Sequence, residues 1–206
     1  MELKQFKIRC SAIGKIMTNP RSKSETLSET CKSYLEEWMK EQLYGVRKQI
    51  QSKYLSKGLE VEALALDYYA EVKGLGFVLQ NVDKFENDFM TGTPDLIIND
   101  LVIDMKASWD CFTFPLFDTD IDKGYWMQLQ GYMALTGKRS ARLVYTLQNT
   151  PEELTYDEVA DYSELPSILR VKEFEIEYDQ QFIESVNERV LLCREYVNEL
   201  LTKLNQ

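Results

Sequence analysis

The sequence predicts an α/β protein in which helices flank a central mixed β-sheet of about five strands. Three observations support this class. Apolar residues recur at helical spacing in four long segments. Short runs of β-branched and aromatic residues lie between them, and the strand-like and helical segments alternate along the 206 residues. No internal repeat and no linker rich in proline, glycine or serine divides the chain, so we expect a single domain over residues 1–206.

Two helices are predicted in the first half of the chain, over residues 28–50 and about 52–73. Gly74 and Gly76 are expected to end the second helix, since glycine commonly follows a helix C-terminus. The second helix should bury one apolar stripe, formed by Leu55, Leu59, Ala63, Leu66 and Tyr69.

Several short segments predict the strands of the sheet. Residues 77–86 alternate between apolar and polar side chains, as a half-buried strand does. The runs 96–98 and 101–103 are rich in leucine, isoleucine and valine, and the Asn99-Asp100 pair between them predicts a two-residue hairpin turn. The remaining predicted elements are strands at 140–148 and 169–177, helices at 125–136 and 179–204, and a short helix within the acidic segment 151–166.

Composition excludes several classes of site. The chain contains no histidine, so a Ser-His-Asp triad and histidine-ligated zinc are excluded. Its four cysteines are scattered and form no CxxC pair, which disfavours zinc and iron–sulfur sites. Any bound metal would therefore have oxygen ligands, which favours Mg²⁺ or Mn²⁺. There is no membrane-spanning apolar stretch and no apolar run typical of a signal peptide, so we expect a cytoplasmic protein.

The net charge of −10 is unevenly distributed. Residues 1–58 contain twelve Lys/Arg and six Asp/Glu, whereas residues 59–206 contain twelve and twenty-eight. The basic N-terminal region could form a local phosphate-binding surface or only a solvated helix face. The same two interpretations apply to a group of cations within it, namely Arg47, Lys48, Lys53 and Lys57. An aromatic loop (Trp109, Phe112, Phe114 and Phe117) could likewise stack on DNA bases or pack beneath the loop.

The predicted hairpin carries charged side chains where apolar strand residues are expected. With a turn at Asn99-Asp100, Asp95 would lie opposite Asp104. Lys106 would share the face of Asp104, because side chains alternate along a strand. Two opposed carboxylates repel each other unless one binds a proton or a cation lies between them. The residues are consistent with a buried Asp–Lys network without a function, or with a cation site.

Further oxygen donors favour the cation site. Glu60 lies on the preceding predicted helix, and helix 125–136 carries Gln128 and Gln130. A site formed by Glu60, Asp95, Asp104 and the backbone carbonyl of Met105 would suit octahedral Mg²⁺. A lysine beside such a site can orient a water molecule for attack on a phosphodiester.

Four segments resemble the PD-(D/E)xK nuclease superfamily, in its phage lambda exonuclease / YqaJ-type viral recombinase branch. The characteristic motif is Pro94-Asp95 followed, after eight intervening residues, by Asp104-Met105-Lys106. Residues 8–22 are similar to the N-terminal serine-bearing helix of that branch, 57–69 to its glutamate-bearing helix, and 125–137 to its tyrosine-to-glutamine helix. The likeness covers most of residues 8–137, and it implies a restriction-endonuclease-like core.

The resemblance also implies roles for individual residues. Asp95 and Asp104 would bind the metal, with Glu60 bound directly or through water, and Lys106 would assist the attacking water. Gln128 would position the lysine and the phosphate, and Tyr125 would line the site. A 5′-phosphate pocket would involve Ser11, Arg21, Thr93 and Arg9. An upstream arginine of that pocket has no secure counterpart here, Lys4 being the nearest candidate, so strict 5′-phosphate dependence is not implied.

The activity implied is that of a Mg²⁺-dependent (or Mn²⁺-dependent) exonuclease that hydrolyses one strand of duplex DNA from an end, in the 5′ to 3′ direction. The resemblance further implies phage-type recombination in a bacterial or phage-infected cell, a single-strand annealing protein as partner, and a ring-shaped trimer. Two alternatives remain open. They are a structure-specific or sequence-specific endonuclease on the same fold, and a nuclease-fold protein that binds or inhibits without cleaving.

Overall fold

The structure of the protein, a computed structural model, describes residues 3–48, 53–154 and 160–206, without the side chains of residues 53–56 and 58–60. The described residues form seven strands and five α-helices joined by loops and short 3-10 turns. In chain order the elements are β1 (Ile8–Arg9), α1 (Ile13–Ile16), α2 (Glu29–Tyr44), α3 (Lys53–Lys73), β2 (Phe85–Glu86), β3 (Met90–Gly92), β4 (Leu96–Ile98), β5 (Leu101–Ser108), α4 (Lys123–Thr136), β6 (Ser140–Leu147), β7 (Val171–Glu177) and α5 (Gln180–Leu204).

The predicted α/β class is confirmed, and the strands are divided between two sheets. The central sheet has four strands in the order β4-β5-β6-β7. Within it β5 and β6 are parallel, while β4 and β7 pair antiparallel at the two edges. The three remaining short strands form a second sheet in the order β1-β3-β2. The central sheet is therefore mixed, as predicted.

Local signals set the ends of the helices. Ser28 caps α2 by accepting a hydrogen bond from the Cys31 N–H, and Asp122 caps α4 in the same manner. The predicted first helix ends at Tyr44, six residues early, because Gly45 adopts a left-handed conformation with φ of 65°. The predicted end of α3 is confirmed, since Gly74 has a φ of 63°.

Helices cover both faces of the central sheet. On one face α3 packs Leu66 and Tyr69 against Leu96, Ile103 and Val144. The other face, which includes Val102 and Leu143, packs into the larger core against helices that include α4 and α5. The predicted stripe of α3 is right at Leu66 and Tyr69 and wrong at Ala63, which is exposed. Leu55 and Leu59 lie outside the residues whose side chains are described.

One predicted strand is wrong. Residues 77–84 are not a strand, and only Phe85–Glu86 at the end of that segment joins a sheet. The alternation fails because Phe77, Leu79 and Val82 are exposed and Asn81 binds the chain next to β4 instead of forming a ladder. In the acidic segment a 3-10 turn covers Glu152–Leu154, and residues 155–159 lie outside the described residues.

The side chains of the predicted basic group and of the aromatic loop differ in their exposure to solvent. Lys57 is only 1% exposed, so both surface interpretations are wrong for it. Arg47 and Lys48 are exposed, and the side chain of Lys53 lies outside the description. In the aromatic loop Phe114 is buried, whereas Phe112 and Phe117 are exposed.

None of the helices in the described part of the chain combines the length and apolar character needed to cross a bilayer.

Candidate active site

The β4–β5 hairpin brings the two predicted acids together. Its register pairs Leu96 with Ile103 and Ile98 with Leu101, as the sequence predicts. Asn99 adopts a left-handed φ of 53°, which a tight hairpin turn requires. Asp95 immediately precedes β4, and its Oδ2 accepts a hydrogen bond of 2.7 Å from the Met105 N–H. Its carboxylate is therefore held beside β5, next to Asp104.

Asp104 lies at the centre of the site. It is 1% exposed, although a carboxylate is costly to bury without partners. Its Oδ1 accepts a hydrogen bond of 2.9 Å from Gln128 Nε2, and its Oδ2 lies 2.6 Å from Lys106 Nζ. Beyond this ion pair, Oδ2 has no well-aligned hydrogen bond among the described residues. One oxygen of a buried carboxylate thus retains capacity for another electropositive partner.

The electrostatics of the three charged groups reflect this crowding. Burial raises the pKa of Asp95 to about 7, with a further contribution from the neighbouring Asp104. Burial by itself would lower the pKa of Lys106, but the carboxylates of Asp104 and Asp95 outweigh it and raise that pKa above its ordinary value. Lys106 is therefore protonated at neutral pH, and two acids share this one cation.

Aromatic and amide groups of α4 complete this side of the site. Lys106 Nζ lies 5.1 Å from the ring centroid of Tyr125, so this tyrosine contacts the lysine of the predicted site. Gln128 Nε2 also donates to the Tyr132 hydroxyl at 3.0 Å. Gln128 therefore positions Asp104 in this structure. The sequence did not indicate Tyr132, because a tyrosine inside an apolar helix segment is typical of core packing.

Gln130, the other glutamine considered, has a structural role. Its Nε2 donates to the Glu177 carbonyl at 2.7 Å, and its Oε1 accepts from the Asp179 N–H at 2.8 Å. It thereby fixes α4 to the turn between β7 and α5, and both ends of its amide are used.

Among the described side chains of α3, Glu62 is an acid that lies beside Asp95. Glu62 and Asp95 line one small cleft, whose other lining residues are Leu66, Gln80, Leu96 and Met105. Glu62 also contributes to the raised pKa of Asp95, after burial and Asp104. Glu62 was not among the predicted site residues, and the predicted acid, Glu60, lies on α3 with its side chain outside the description. The helical spacing of Glu62 from Leu66 could have indicated which face it shares.

The predicted phosphate-binding residues lie in and beyond the small sheet. β1 and β3 are parallel with Arg9 opposite Thr91, so Ser11 and Thr93 leave this pair at the same end, and both are exposed. Burial raises the pKa of Tyr34, and the adjacent Arg9 partly offsets this. Arg21 is exposed between α1 and α2. Among the described contacts none joins these four side chains to Asp95 or Asp104, and their role stays a prediction.

The donor set fits a divalent cation of the Mg²⁺ type. Among the described residues no three acidic or cysteine side chains converge on one point. Mg²⁺ in proteins is usually held by one or two carboxylates and retains several waters, so Asp95 and Asp104 are sufficient in number. The unmet capacity of Asp104 Oδ2 and the repulsion between the two acids are both features that a cation would resolve.

Comparisons with known proteins agree with this geometry. No family model and no curated sequence matches significantly. Among solved structures, a phage-related exonuclease from Haemophilus somnus 129PT is 31% identical with a TM-score of 0.87, covering 98% of this chain and 97% of its own. An alkaline exonuclease from Laribacter hongkongensis, LHK-Exo, is 18% identical with a TM-score of 0.73, covering 97% and 91%. A structure of LHK-Exo in complex with dAMP is 20% identical with a TM-score of 0.71, covering 96% and 91%.

The last two likenesses, below 25% identity, show the shared fold alone. The first is both full-length and above 30% identity, and the motif that the sequence shares with lambda-type nucleases lies in one hairpin. The chain therefore belongs to the family of phage-related exonucleases, within the lambda exonuclease / YqaJ-type branch of the PD-(D/E)xK nucleases.

Proposed function

We propose that this protein is a divalent-metal-dependent exonuclease that hydrolyses one strand of duplex DNA from an end, in the 5′ to 3′ direction. The observation that carries the proposal is the buried Asp104, which pairs with Lys106 and has one oxygen with no well-aligned hydrogen bond from the described residues. A carboxylate placed in this way, beside a second acid, has no evident use in packing.

The side chains around Asp104 each have a role in the proposed reaction. Lys106 is held within ion-pair distance of Asp104, and its protonated amine can donate a hydrogen bond to the attacking water or to a phosphate oxygen. Gln128 keeps Asp104 in place through Oδ1. Tyr125 packs against the cation of Lys106 and restricts the position of its Nζ. Asp95 is fixed by Met105 and directs its carboxylate toward Asp104.

Asp95 and Asp104 would hold the cation, with the Met105 carbonyl as a further donor and Glu62 as the acid that shares the cleft of Asp95. When bound, Mg²⁺ or Mn²⁺ would supply Lewis acidity and neutralise charge that builds on the phosphate. Glu60 keeps its predicted role only as the alternative to Glu62. Glu62 is proposed because it shares the cleft of Asp95, and the side chain of Glu60 lies outside the described residues.

The substrate and setting are proposed on the family relationship. The dAMP in the LHK-Exo complex is a deoxynucleoside monophosphate, the class of product that an exonuclease releases from DNA. We infer that duplex DNA ends are the substrate here, in the cytoplasm of a bacterial or phage-infected cell during recombination. Ser11, Arg21, Thr93 and Arg9 are proposed to bind the terminal phosphate. A ring-shaped trimer and a single-strand annealing partner remain predictions.

The test is digestion of linear duplex DNA labelled at either 5′ or 3′ ends. Wild type should release mononucleotides from 5′ ends with Mg²⁺ and none with EDTA. Asp104→Asn, which keeps the shape and the Gln128 contact, should lose this activity. Asp100→Asn is the matched control, because Asp100 lies at the exposed turn of the same hairpin.

Three outcomes would contradict the proposal. Digestion that persists in EDTA would exclude the metal dependence. Cutting of covalently closed circular DNA would show an endonuclease. Absence of cleavage of any DNA by wild type, with Asp104→Asn equally inert, would favour a protein that binds without cleaving.

A further inference from the structure

Residues 77–84 run beside the candidate site without belonging to either sheet. The side chains of Phe77, Leu79 and Val82 are exposed, so burial of apolar surface holds little of this segment in place. Val78 is the partly buried exception and packs against the apolar cluster beneath α3. Among the described residues, the other contacts of this segment near the site are hydrogen bonds. They reach the backbone at Asp95 and the carboxylate of Glu62.

Asn81 binds both peptide groups that flank Asp95. Its backbone N–H donates to the Asp95 carbonyl at 2.8 Å, and its side-chain Nδ2 donates to the Pro94 carbonyl at 2.8 Å. The first of these peptide groups follows the Cα atom of Asp95 and the second precedes it. Since peptide groups are planar, holding both restricts the φ and ψ angles of Asp95 and hence the direction of its Cα–Cβ bond.

Asp95 is consequently fixed from two sides. Its backbone is held by Asn81, and its carboxylate Oδ2 is held by the Met105 N–H. The carboxylate therefore faces Asp104 with little freedom to rotate away. Without these contacts the Asp95 carboxylate could rotate away from Asp104 and relieve the repulsion between the two acids. A cation would then lose a preorganised pair of donors.

The neighbouring bonds stiffen Asn81 and extend the contact to α3. Asn81 Oδ1 accepts from the Asp83 N–H at 3.2 Å, and Nδ2 also donates to the Asp83 carbonyl at 3.1 Å, which closes a local turn. Gln80 Nε2 donates to Glu62 Oε1 at 2.7 Å. Two consecutive side chains thus connect the chain preceding β4 with the helix that carries Glu62.

We propose that Asn81, assisted by Gln80, is a positioning residue that holds Asp95 in the orientation required for cation binding. This inference rests on the proposed function, since it assigns Asn81 a role in the same site. It does not require Asn81 to touch DNA or the cation. The exposed apolar side chains on either side of it play no part in this role.

The experiment measures Mn²⁺ binding to the full-length protein by isothermal titration calorimetry, without DNA. Asn81→Ala should bind Mn²⁺ roughly 10-fold more weakly than wild type, the size of effect seen when groups that orient metal ligands are removed. Asn81→Asp retains the acceptor for the Asp83 N–H but loses the donor to Pro94. Weaker binding by this variant, despite its additional negative charge, would identify the Pro94 contact as the important one.

Val82→Ala is the matched control, because Val82 is 84% exposed on the same segment. It should bind Mn²⁺ as wild type does. Thermal unfolding in EDTA checks that each variant is folded. Wild-type affinity in both Asn81 variants, or an equal loss in Val82→Ala, would overturn the inference. Absence of Mn²⁺ binding by wild type itself would instead overturn the proposed metal dependence, so the two failures are distinguishable.

Discussion

Lys57 is a buried lysine that reaches the end of β5, and Lys106 is a partly exposed lysine within β5. The two amines differ in the charge of their polar neighbours. Lys106 is surrounded by carboxylates, whereas Lys57 is surrounded by neutral oxygens. Lys57 extends from α3 and donates to the backbone carbonyls of Ser108 and Trp109, just beyond Lys106 on the chain. It also donates to the Gln148 carbonyl and to Thr150 Oγ1, with all four distances between 2.7 and 2.9 Å.

The different neighbours give the two amines opposite pKa shifts. Burial lowers the pKa of Lys57 to about 8, and Asp110 only partly offsets this. The carboxylates around Lys106 outweigh its burial and raise its pKa. Lys57 completes the hydrogen bonds of carbonyls at the ends of β5 and β6, as a structural group does. At Lys106 two acids share one cation. Beyond that ion pair, Asp104 Oδ2 accepts no well-aligned hydrogen bond from the described residues, so it retains capacity for a further cation.

The largest effect on activity is expected from loss of the Lys106 amine. Lys106→Met should reduce the rate of digestion of linear duplex DNA by about 10³-fold, because a positioned donor and a positive charge are both removed. Lys57→Met, measured on folded protein under the same conditions, should keep the wild-type rate. A similar loss in both variants would show that the two lysines do not have separate roles.

The reverse pattern is expected for stability. Lys57→Met should lower the free energy of unfolding by about 3 kcal/mol, because the carbonyls of Ser108, Trp109 and Gln148 and the Thr150 hydroxyl each lose one donor. Lys73→Met, a change at the other end of α3 to a partly exposed lysine paired with Glu173, should cost no more than about 1 kcal/mol. Denaturant titration with EDTA present measures both. An equal cost for the two variants would contradict a structural role for Lys57.

The contrast between these lysines also marks what the sequence could predict. The hairpin register followed from two β-rich runs and a two-residue turn, and Asp95, Asp104 and Lys106 were placed correctly relative to one another. Such local patterns fix short-range geometry because side chains alternate in strands. The class of fold and the family followed from the same segments.

Features that depend on contacts between distant segments were not predictable. Lys57 reads as one of several basic surface residues, and its four acceptors lie 51 to 93 residues away. The alternation in 77–84 predicted a strand, but no pattern within that segment reveals that Asn81 binds beside Asp95. Glu60 and Glu62 are both acids on one predicted helix. The choice between them depends on which face packs against the sheet.

The two acids of α3, Glu60 and Glu62, should differ in their effect on metal-dependent activity. Glu62→Gln should reduce digestion of linear duplex DNA by about 10²-fold at limiting Mg²⁺, since removing a carboxylate from a metal site weakens it. Glu60→Gln should have little effect. The Mg²⁺ concentration for half-maximal activity, measured for both variants, checks this result. A larger shift for Glu60→Gln would restore the residue that the family resemblance indicated.

The smallest effect expected is the contribution of Lys57 to the pH dependence of the free energy of unfolding. Its pKa is about 8 in the folded protein and has an ordinary value of 10.5, so between these values the unfolded chain binds more protons. Stability should therefore rise with pH in this interval, and below pH 8 the full cost of burying the charge is present. The stability of wild type minus that of Lys57→Met should increase by on the order of 2 kcal/mol from pH 7.5 to 10.5.

Denaturant titrations of the two proteins at matched pH values measure this difference, and subtraction removes the contribution of groups that titrate alike in both. A flat difference would mean that the four oxygens hold the proton on Lys57 throughout. A fall with rising pH would reverse the sign and place Lys57 in the same class as Lys106, whose carboxylate neighbours stabilise its charge. Only a rise of this stability difference with pH supports a structural role for Lys57 that is distinct from the proposed catalytic role of Lys106.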